Sequence, residues 1–430
     1  MQTHFTPAQL EHPAMRESER IFRACVHCGF CIATCPTYVT LGDECDSPRG
    51  RIYLIKDMLE SGDAVPAATV AHVDRCLSCL SCMTTCPSGV DYMHLVDHAR
   101  VHIAEAGVRP LADRAMRRLV ATVLPRPGVF RLALVAAMLV RPLAGVLPAR
   151  LRTLVATAPR RLASPSPVDR PQVFPAKGER RARAALLTGC VQTVLNPAIN
   201  EATIRLLTRL GCEVVVARGS GCCGAVAHHL GLEAEALVRV RANVAAWAAE
   251  LEGEGLDAVV VNASGCGTSV KDYGFLLRNE PDWAGPAARI AELAVDVSEL
   301  VARLDYAPNG AAAPLTVAYH AACSLQHGQK ITALPRDLLA AAGFRVREVP
   351  EGHLCCGSAG TYSLFQPAIA ARLRRRKLDH IEGLSPDAVA AGNIGCIEHL
   401  AAATRLPVVH TVELLDWASG GPRPAALGPG

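Results

Sequence analysis

Eight of the 18 cysteines stand in two copies of one pattern, Cys25-x2-Cys28-x2-Cys31-x3-Cys35-Pro36 and Cys76-x2-Cys79-x2-Cys82-x3-Cys86-Pro87. Three thiolates this close along one loop can hold three irons of a cubane, and the fourth iron needs a ligand from elsewhere. Runs of this kind serve paired [4Fe–4S] clusters, each taking its fourth cysteine from the other run. The spacing therefore predicts one cluster on Cys25, Cys28, Cys31 and Cys86 and a second on Cys76, Cys79, Cys82 and Cys35, and with them one-electron chemistry. The proline after each fourth cysteine turns the chain and removes a backbone donor. Paired C-x2-C segments also make four-cysteine zinc sites, but two unbroken runs with the same terminal proline favour iron and sulfide.

Eight further cysteines repeat in a different way. Cys190 recurs as Cys323 and Cys222 as Cys355 at one offset, Cys223 as Cys356 with it, and Cys266 as Cys396 at nearly the same offset. Each copy has the same order: an apolar strand ending in a cysteine, a helix, a short strand, a Cys-Cys-Gly turn, a helix, a further strand and a last cysteine. Short β-branched strands alternating with helices predict parallel βαβ units with right-handed crossovers, so that the ligand-bearing loops gather at the carboxyl edge of a sheet. That edge brings Cys190, Cys222, Cys223 and Cys266 together, and likewise Cys323, Cys355, Cys356 and Cys396. Gly221, Gly224, Gly357 and Gly360 permit a tight backbone around the adjacent thiols. Four convergent thiols can take an iron–sulfur cluster or zinc, or act as redox thiols. Cys212 and Cys45 fall outside both patterns and read as small buried apolar residues.

His320, His327, His353 and His399 lie near the second cysteine set, and His228 and His229 follow the first Cys-Cys-Gly. Each could ligate metal or move a proton, although a lone loop histidine is more often hydrogen-bonded and inert. Gly219-x-Gly221-x-x-Gly224 matches a dinucleotide fingerprint in form only. The second copy keeps the cysteines there and loses the pattern, which argues against nucleotide binding.

The elements that position these residues follow. The fold class is mixed: an N-terminal helical two-cluster domain of ferredoxin type (1–157), a Pro/Arg-rich linker (158–184), and two repeated α/β modules with parallel sheets (185–310 and 311–430). Apolar residues at helical spacing after Arg51 and after Met93 predict two helices of the first domain. The stretch 128–148 is mostly apolar but is interrupted by Arg131, Arg141 and Pro142, and its longest unbroken run is too short to span a bilayer. It reads first as a buried helix of the ferredoxin-like region and second as a surface that docks on a membrane or a membrane partner, to which the arginines between 126 and 161 lend support.

With 430 residues, half of them hydrophobic, the chain can bury several cores without disulfides, so its cysteines read as metal ligands. The first 20 residues carry neither an apolar signal core nor a twin-arginine motif, which predicts a cytoplasmic protein. A net charge of +4 and an aromatic content of 4% give no footing for nucleic acid.

Two cubane motifs followed by two Cys-Cys-Gly modules resemble the iron–sulfur subunit of glycolate oxidase, also called glycolate dehydrogenase. The resemblance runs through RACVHCGFCIATCPTY, GDECDSPRGRIYLIKDMLE, DRCLSCLSCMTTCPSGV, GCCGAVAHHL, ASGCGTSVKDYG, HLCCGSAGTYSL and NIGCIEHL, essentially the whole chain. Similar modules occur in glycerol-3-phosphate dehydrogenase, lactate-utilisation and heterodisulfide reductase subunits. The resemblance implies a complex in which FAD-containing subunits oxidise glycolate to glyoxylate and this chain passes electrons towards membrane quinone, peripheral on the inner face of the cell membrane. Consistent with that, no residue set here forms a recognisable flavin site. In heterodisulfide reductase relatives the module ends in Cys-x-x-Cys; here Cys266 and Cys396 each stand alone, which counts against a noncubane cluster. A lactate or glycerol-3-phosphate dehydrogenase subunit, a thiol or disulfide reductase using the Cys-Cys-Gly sites, and a zinc-stabilised assembly scaffold are the competing functions.

Overall fold

The computed structural model describes every residue except 63–64, 147–151, 153–154, 156–157, 160, 311–314 and 430. Up to residue 146 the described elements are all helical. Pro48–Ser61 and Tyr92–Glu105 are the two helices expected from periodicity, and they bury Ile52, Ile55, Met58 and Leu59 against Leu95, Val96, Ala99 and Ile103. Cys25, Cys76 and Cys82 belong to the same core. The cluster loops are thus walled on one side by packed aliphatic side chains, which exclude water from sulfur.

Two sheets follow. The first contains β1 (Gln172–Phe174), β2 (Ala182–Leu187), β3 (Cys212–Val216), β4 (Ala258–Val261) and β5 (Ala294–Asp296) in the order β1-β3-β2-β4-β5. The second contains β6 (Thr316–His320), β7 (Arg345–Glu348), β8 (Ala388–Ala391) and β9 (Val408–His410) in the order β7-β6-β8-β9. All pairings are parallel except β1 with β3. Strands such as β4, AVVV, are buried on both faces, as parallel sheets covered by helices require. In each sheet the first strand of the repeat sends the chain to one side and then to the other. The crevice at its carboxyl end is therefore the switch point where α/β sheets bind ligands.

Three details depart from the sequence reading. The stretch 158–184 is more than a linker: β1 adds an antiparallel edge to the first sheet and β2 begins at Ala182. A three-residue strand with no apolar alternation carries no signal of its own; its partner strand supplies the ladder. The strands β5 and β9 were not foreseen, and each leads into a helix closed by a capping box, Asp296 with Glu299 and His410 with Glu413.

The third departure concerns the apolar stretch. It forms an α-helix, Pro127–Val140, running on as 3₁₀ turns through Val146. Phe130 is its one buried residue, while Leu132 and Leu139 are 69% and 76% exposed. The buried-helix reading is therefore corrected. A helix apolar on every face cannot bury more than one stripe against a single neighbour, and this one leaves the rest outside. By length and composition Pro127–Val146 is apolar enough to cross a membrane. Arg150 and Arg160 of the arginine-rich stretch lie outside the described residues, as does the start of the second module at 311–314.

The two modules share one hydrophobic core, in which helix Ala198–Arg209 packs on helix Thr411–Ala418 and Arg205 and Arg209 pair with buried Asp416. Their cysteine-bearing edges meet as well: Ser264 and Ser324 hydroxyls are 2.7 Å apart, and Gln329 Nε2 donates to the Ser264 carbonyl. The helical domain lies across both. Gly231 makes this possible on the first module, since a Cβ there would come within 2.3 Å of the Arg100 carbonyl oxygen.

Candidate iron–sulfur and cysteine-rich sites

The two cluster loops fold alike. His27 and Ser78, each just before the second cysteine of its run, and Gly29 and Leu80, each just after it, all have positive φ. Three of these four are not glycine, and the repeated left-handed kinks turn successive thiols inward. Such backbone is held only where its surroundings over-determine it.

Cys25, Cys28, Cys31 and Cys86 line one cavity, together with Arg49, Ile52 and Tyr92. Burial, and then the charges of Cys25 and Cys86, push the Cys31 thiol up to about 11. Cys28 is exposed, so this cradle opens to the surface. Cys76, Cys79, Cys82 and Cys35 are all buried. Burial pushes Cys82 well up, followed by Cys79, Cys76 and Cys35, so these four thiols face one another. Cys82 also lines the first cavity, which sets the two cradles side by side. Both donor sets suit a cubane: four thiols each, apolar walls and a few donors to sulfur. In the second cradle the Thr37 hydroxyl lies 3.2 Å from Cys35 Sγ, Arg51 Nη1 reaches it at 3.9 Å, and the Tyr92 hydroxyl donates to Cys76 Sγ at 3.8 Å. Arg51 is itself buried and is held by Asp46 and the His72 carbonyl.

The two later cysteine sets converge as the repeat required. In the first module the contacts run as a chain, Cys190 to Cys222 to Cys223 to Cys266. Hydrogen bonds from Cys190 and Cys223 hold the Cys222 thiol down at about 3. In the second module the same chain runs Cys323 to Cys355 to Cys356 to Cys396, with the first pair 3.7 Å apart. Here Cys356 is the thiol held well below its ordinary value, by Cys355 and then Cys396, with His320 adding to them. Gly357 turns the chain at φ +93°, and a Cβ there would stand 2.6 Å from the Ala370 carbonyl oxygen.

The histidines separate in the structure. His320 joins Cys356 and Cys396, with ligand atoms all within 4.8 Å of one another. His327 instead contacts the Thr84 hydroxyl and the His353 carbonyl. His399 packs beside Cys356 with its Nε2 unpartnered, and His353 lies at the loop surface. His228 and His229 both turn to buried Asp97 of the helical domain, across a cavity that Cys223 and Asp272 also line. Cys212 is fully buried on β3 and Cys45 is half-buried. The loop with the nominal dinucleotide pattern is filled by thiols, and the helix after it, Ala225–His229, is a single turn.

Sequence reasoning missed Arg51, Tyr362 and Lys377. Tyr362 shares a buried cluster with Cys79, Leu77 and Cys355, so the second cradle abuts the second module directly. Burial pushes the Cys79 thiol well up, and the charge felt most after that is Cys323. An arginine, a tyrosine and a lysine in helices carry no motif; only packing reveals their neighbours.

Fold and site together define a two-cluster iron–sulfur protein with paired cysteine-rich modules. Family models agree: a 4Fe-4S dicluster domain matches residues 21–90, and the cysteine-rich domain matches 184–271 and 317–401. The chain is 43% identical over 418 residues to the glycolate oxidase iron–sulfur subunit of Escherichia coli K12, covering 97% of this chain and 99% of that one. It is 30% identical to the probable glycolate oxidase iron–sulfur subunit of Bacillus subtilis, covering 92% and 94%. Lactate utilization protein A of Geobacillus thermodenitrificans is 27% identical but matches only 54% of this chain. A hypothetical protein from Helicobacter pylori, at 12% identity and a TM-score of 0.51, shares the fold over 99% of this chain and 75% of its own. The chain belongs to the family of glycolate oxidase iron–sulfur subunits.

Proposed function

We propose that this chain is the electron-transfer subunit of a glycolate-oxidising complex. The full-length likeness to a named iron–sulfur subunit carries this reading, and the two four-thiol cradles support it. Oxidation of glycolate to glyoxylate releases two electrons and two protons, and an FAD-containing partner takes them as hydride plus proton. When bound, the clusters supply one-electron acceptance, which lets a two-electron flavin discharge in two steps towards a quinone. Cys25, Cys28, Cys31 and Cys86 would hold one cluster, and Cys76, Cys79, Cys82 and Cys35 the other. The chain's own work is to keep water from sulfur and to aim donors at it. The buried Arg51 beside Cys35 favours added negative charge in the second cradle.

The test uses the assembled complex. Cys28→Ala should abolish acceptor reduction while glycolate still bleaches the flavin, and the iron of the second cradle should remain as proof of folding. Loss of flavin bleaching would contradict the electron-carrier role, and bleaching by lactate or glycerol-3-phosphate in place of glycolate would move the substrate assignment.

The exposed helix Pro127–Val146, which carries Arg131 and Arg141, is the surface we assign to peripheral contact with the membrane. Leu132→Asp with Leu139→Asp should shift the complex from the membrane pellet to the supernatant and leave glycolate-dependent flavin bleaching intact. Unchanged pelleting would remove this helix from that role.

A further inference from the structure

The repeat supplies its own control for the second module. His320 ends β6 at the place where β2 ends in Leu187. Its side chain is 1% exposed and neither ring nitrogen has a hydrogen-bond partner. An imidazole left so deep without partners carries a desolvation cost that nothing offsets. What it does have is two sulfurs, Cys356 and Cys396, within 4.8 Å. Leu187 makes no such demand on the first module.

A second observation concerns charge. Lys377 is 2% exposed and lies within the field of Cys356, Cys355 and Cys323, donating its Nζ to the Glu351 carbonyl oxygen. A buried ammonium favours negative charge beside it; the Glu351 carboxylate supplies part of it, and the sulfurs of Cys356, Cys355 and Cys323 lie in the same field. The matching stretch of the first module's helix buries Asn243 and Val244 and no cation. Asn393 Nδ2 completes the surroundings by donating to Cys396 Sγ.

We propose that the second module holds a thiophilic metal centre with an imidazole ligand, built on His320, Cys356 and Cys396 and completed by Cys323 or Cys355. Among the described residues the first module has four thiols but no imidazole grouped with them at ligating distance, and Val244 stands where the second module has Lys377. A tetrahedral ion with sulfur at about 2.3 Å and nitrogen at about 2.0 Å holds its donors roughly 3.5 Å apart; small side-chain rotations bring the three donors there. The shared chemistry is one nitrogen and several thiolates on zinc or on iron. Zinc would brace the module, whereas an iron–sulfur centre beside Cys79 would adjoin the second cradle. This inference deepens the reading of the chain as an electron carrier and rests on it only for the meaning of an iron outcome.

The experiment is iron, zinc and sulfide analysis of the full-length chain purified anaerobically, repeated after titration with zinc, for the wild type, His320→Ala and His320→Cys. Zinc-edge X-ray absorption or nitrogen hyperfine coupling in pulsed EPR reads the ligand. Metal beyond the about eight irons of two cubanes, with a nitrogen ligand, is the expected result. His320→Ala should lose that extra metal and keep the other irons. His320→Cys should keep the metal without nitrogen, and it preserves the test if His320→Ala fails to fold. Only about eight irons in the wild type with no zinc taken up, or an unchanged nitrogen signal in His320→Ala, would overturn the proposal. Neither outcome touches Cys28 or flavin bleaching, so the two readings fail separately.

Discussion

The first and second cysteine-rich modules share strand order, loop positions and a four-thiol chain, yet they meet the helical domain by different physics. The first adds titratable pairs to the packing of Leu230 on Val120 and Ala121. His94 Nε2 donates to Asp272 at 2.9 Å and its Nδ1 lies 2.7 Å from Asp91, while His228 reaches buried Asp97. The second is held mainly through apolar contact, with Leu77 and Cys79 packed on Cys355, Tyr362, Ile369 and Leu373. To this it adds the bond of His327 to the Thr84 hydroxyl and the donation of Arg372 to the Thr40 carbonyl, with no ion pair among the described residues. Duplication of one unit therefore left two faces with separate fates. One acquired charge pairs around a cavity, and the other brought its thiols against those of the second cradle.

The largest expected effect that separates the modules is steric. Gly357→Ala forces a Cβ onto a carbonyl oxygen at 2.6 Å from a backbone at φ +93°, whereas at Gly224 the matching contact is 3.1 Å at φ +90°. Left-handed strain is common to both, and the closer clash is added in the second module. Gly357→Ala should destabilise the chain by roughly 3 kcal/mol or more and Gly224→Ala by roughly 1–2 kcal/mol. Urea unfolding of the two full-length variants measures this, and equal losses would show that the second module is no tighter than the first.

A smaller effect is expected from pH. Burial lowers His94, but Asp272 and Asp91 outweigh it and raise the ring to about 9. Burial pushes Asp272 up and the ring opposes it; two carboxylates against one ring favour the charged pair. Because the folded value lies above the unfolded one, this contribution is complete below about pH 6.5, the ordinary histidine value, and is lost as pH rises through about 9. It amounts to on the order of 2 kcal/mol at neutral pH. Amide exchange, corrected for its intrinsic pH dependence, should rise between these limits in helices Ala225–His229 and Ser264–Lys271 and stay flat in helix Pro367–Glu382. His94→Gln should abolish that difference. Parallel loosening of both modules would break the comparison.

Much of the fold was legible because the repeat is written in strongly patterned elements. Apolar strands such as AVVV and AVAA and amphipathic helices such as Ala198–Arg209 carry their own periodicity. β1 was missed because edge pairing is supplied by β3, not by its own residues. The exposure of Leu132 and Leu139 was also hidden, since hydrophobicity says that a helix would gain from burial but not whether a neighbour exists. For the sites, cysteine spacing carried the cubane loops, and the repeat carried the two later thiol sets. His320 stood among four histidine candidates, and nothing in its neighbours along the chain ranked it above His327 or His353.

The sequence by itself determined the ligand types, the two-run motif, the duplicated α/β unit and the family, because thiol spacing within one loop and periodicity within one element are local properties. Tertiary structure alone decided which cradle opens to solvent, that Cys79 lies against Cys323 and Cys355, and that His320 and Lys377 join the thiols of one module and not the other. Those outcomes depend on burial and on contacts between residues far apart in the chain. Desolvation and charge pairing act through space, so no local pattern records them.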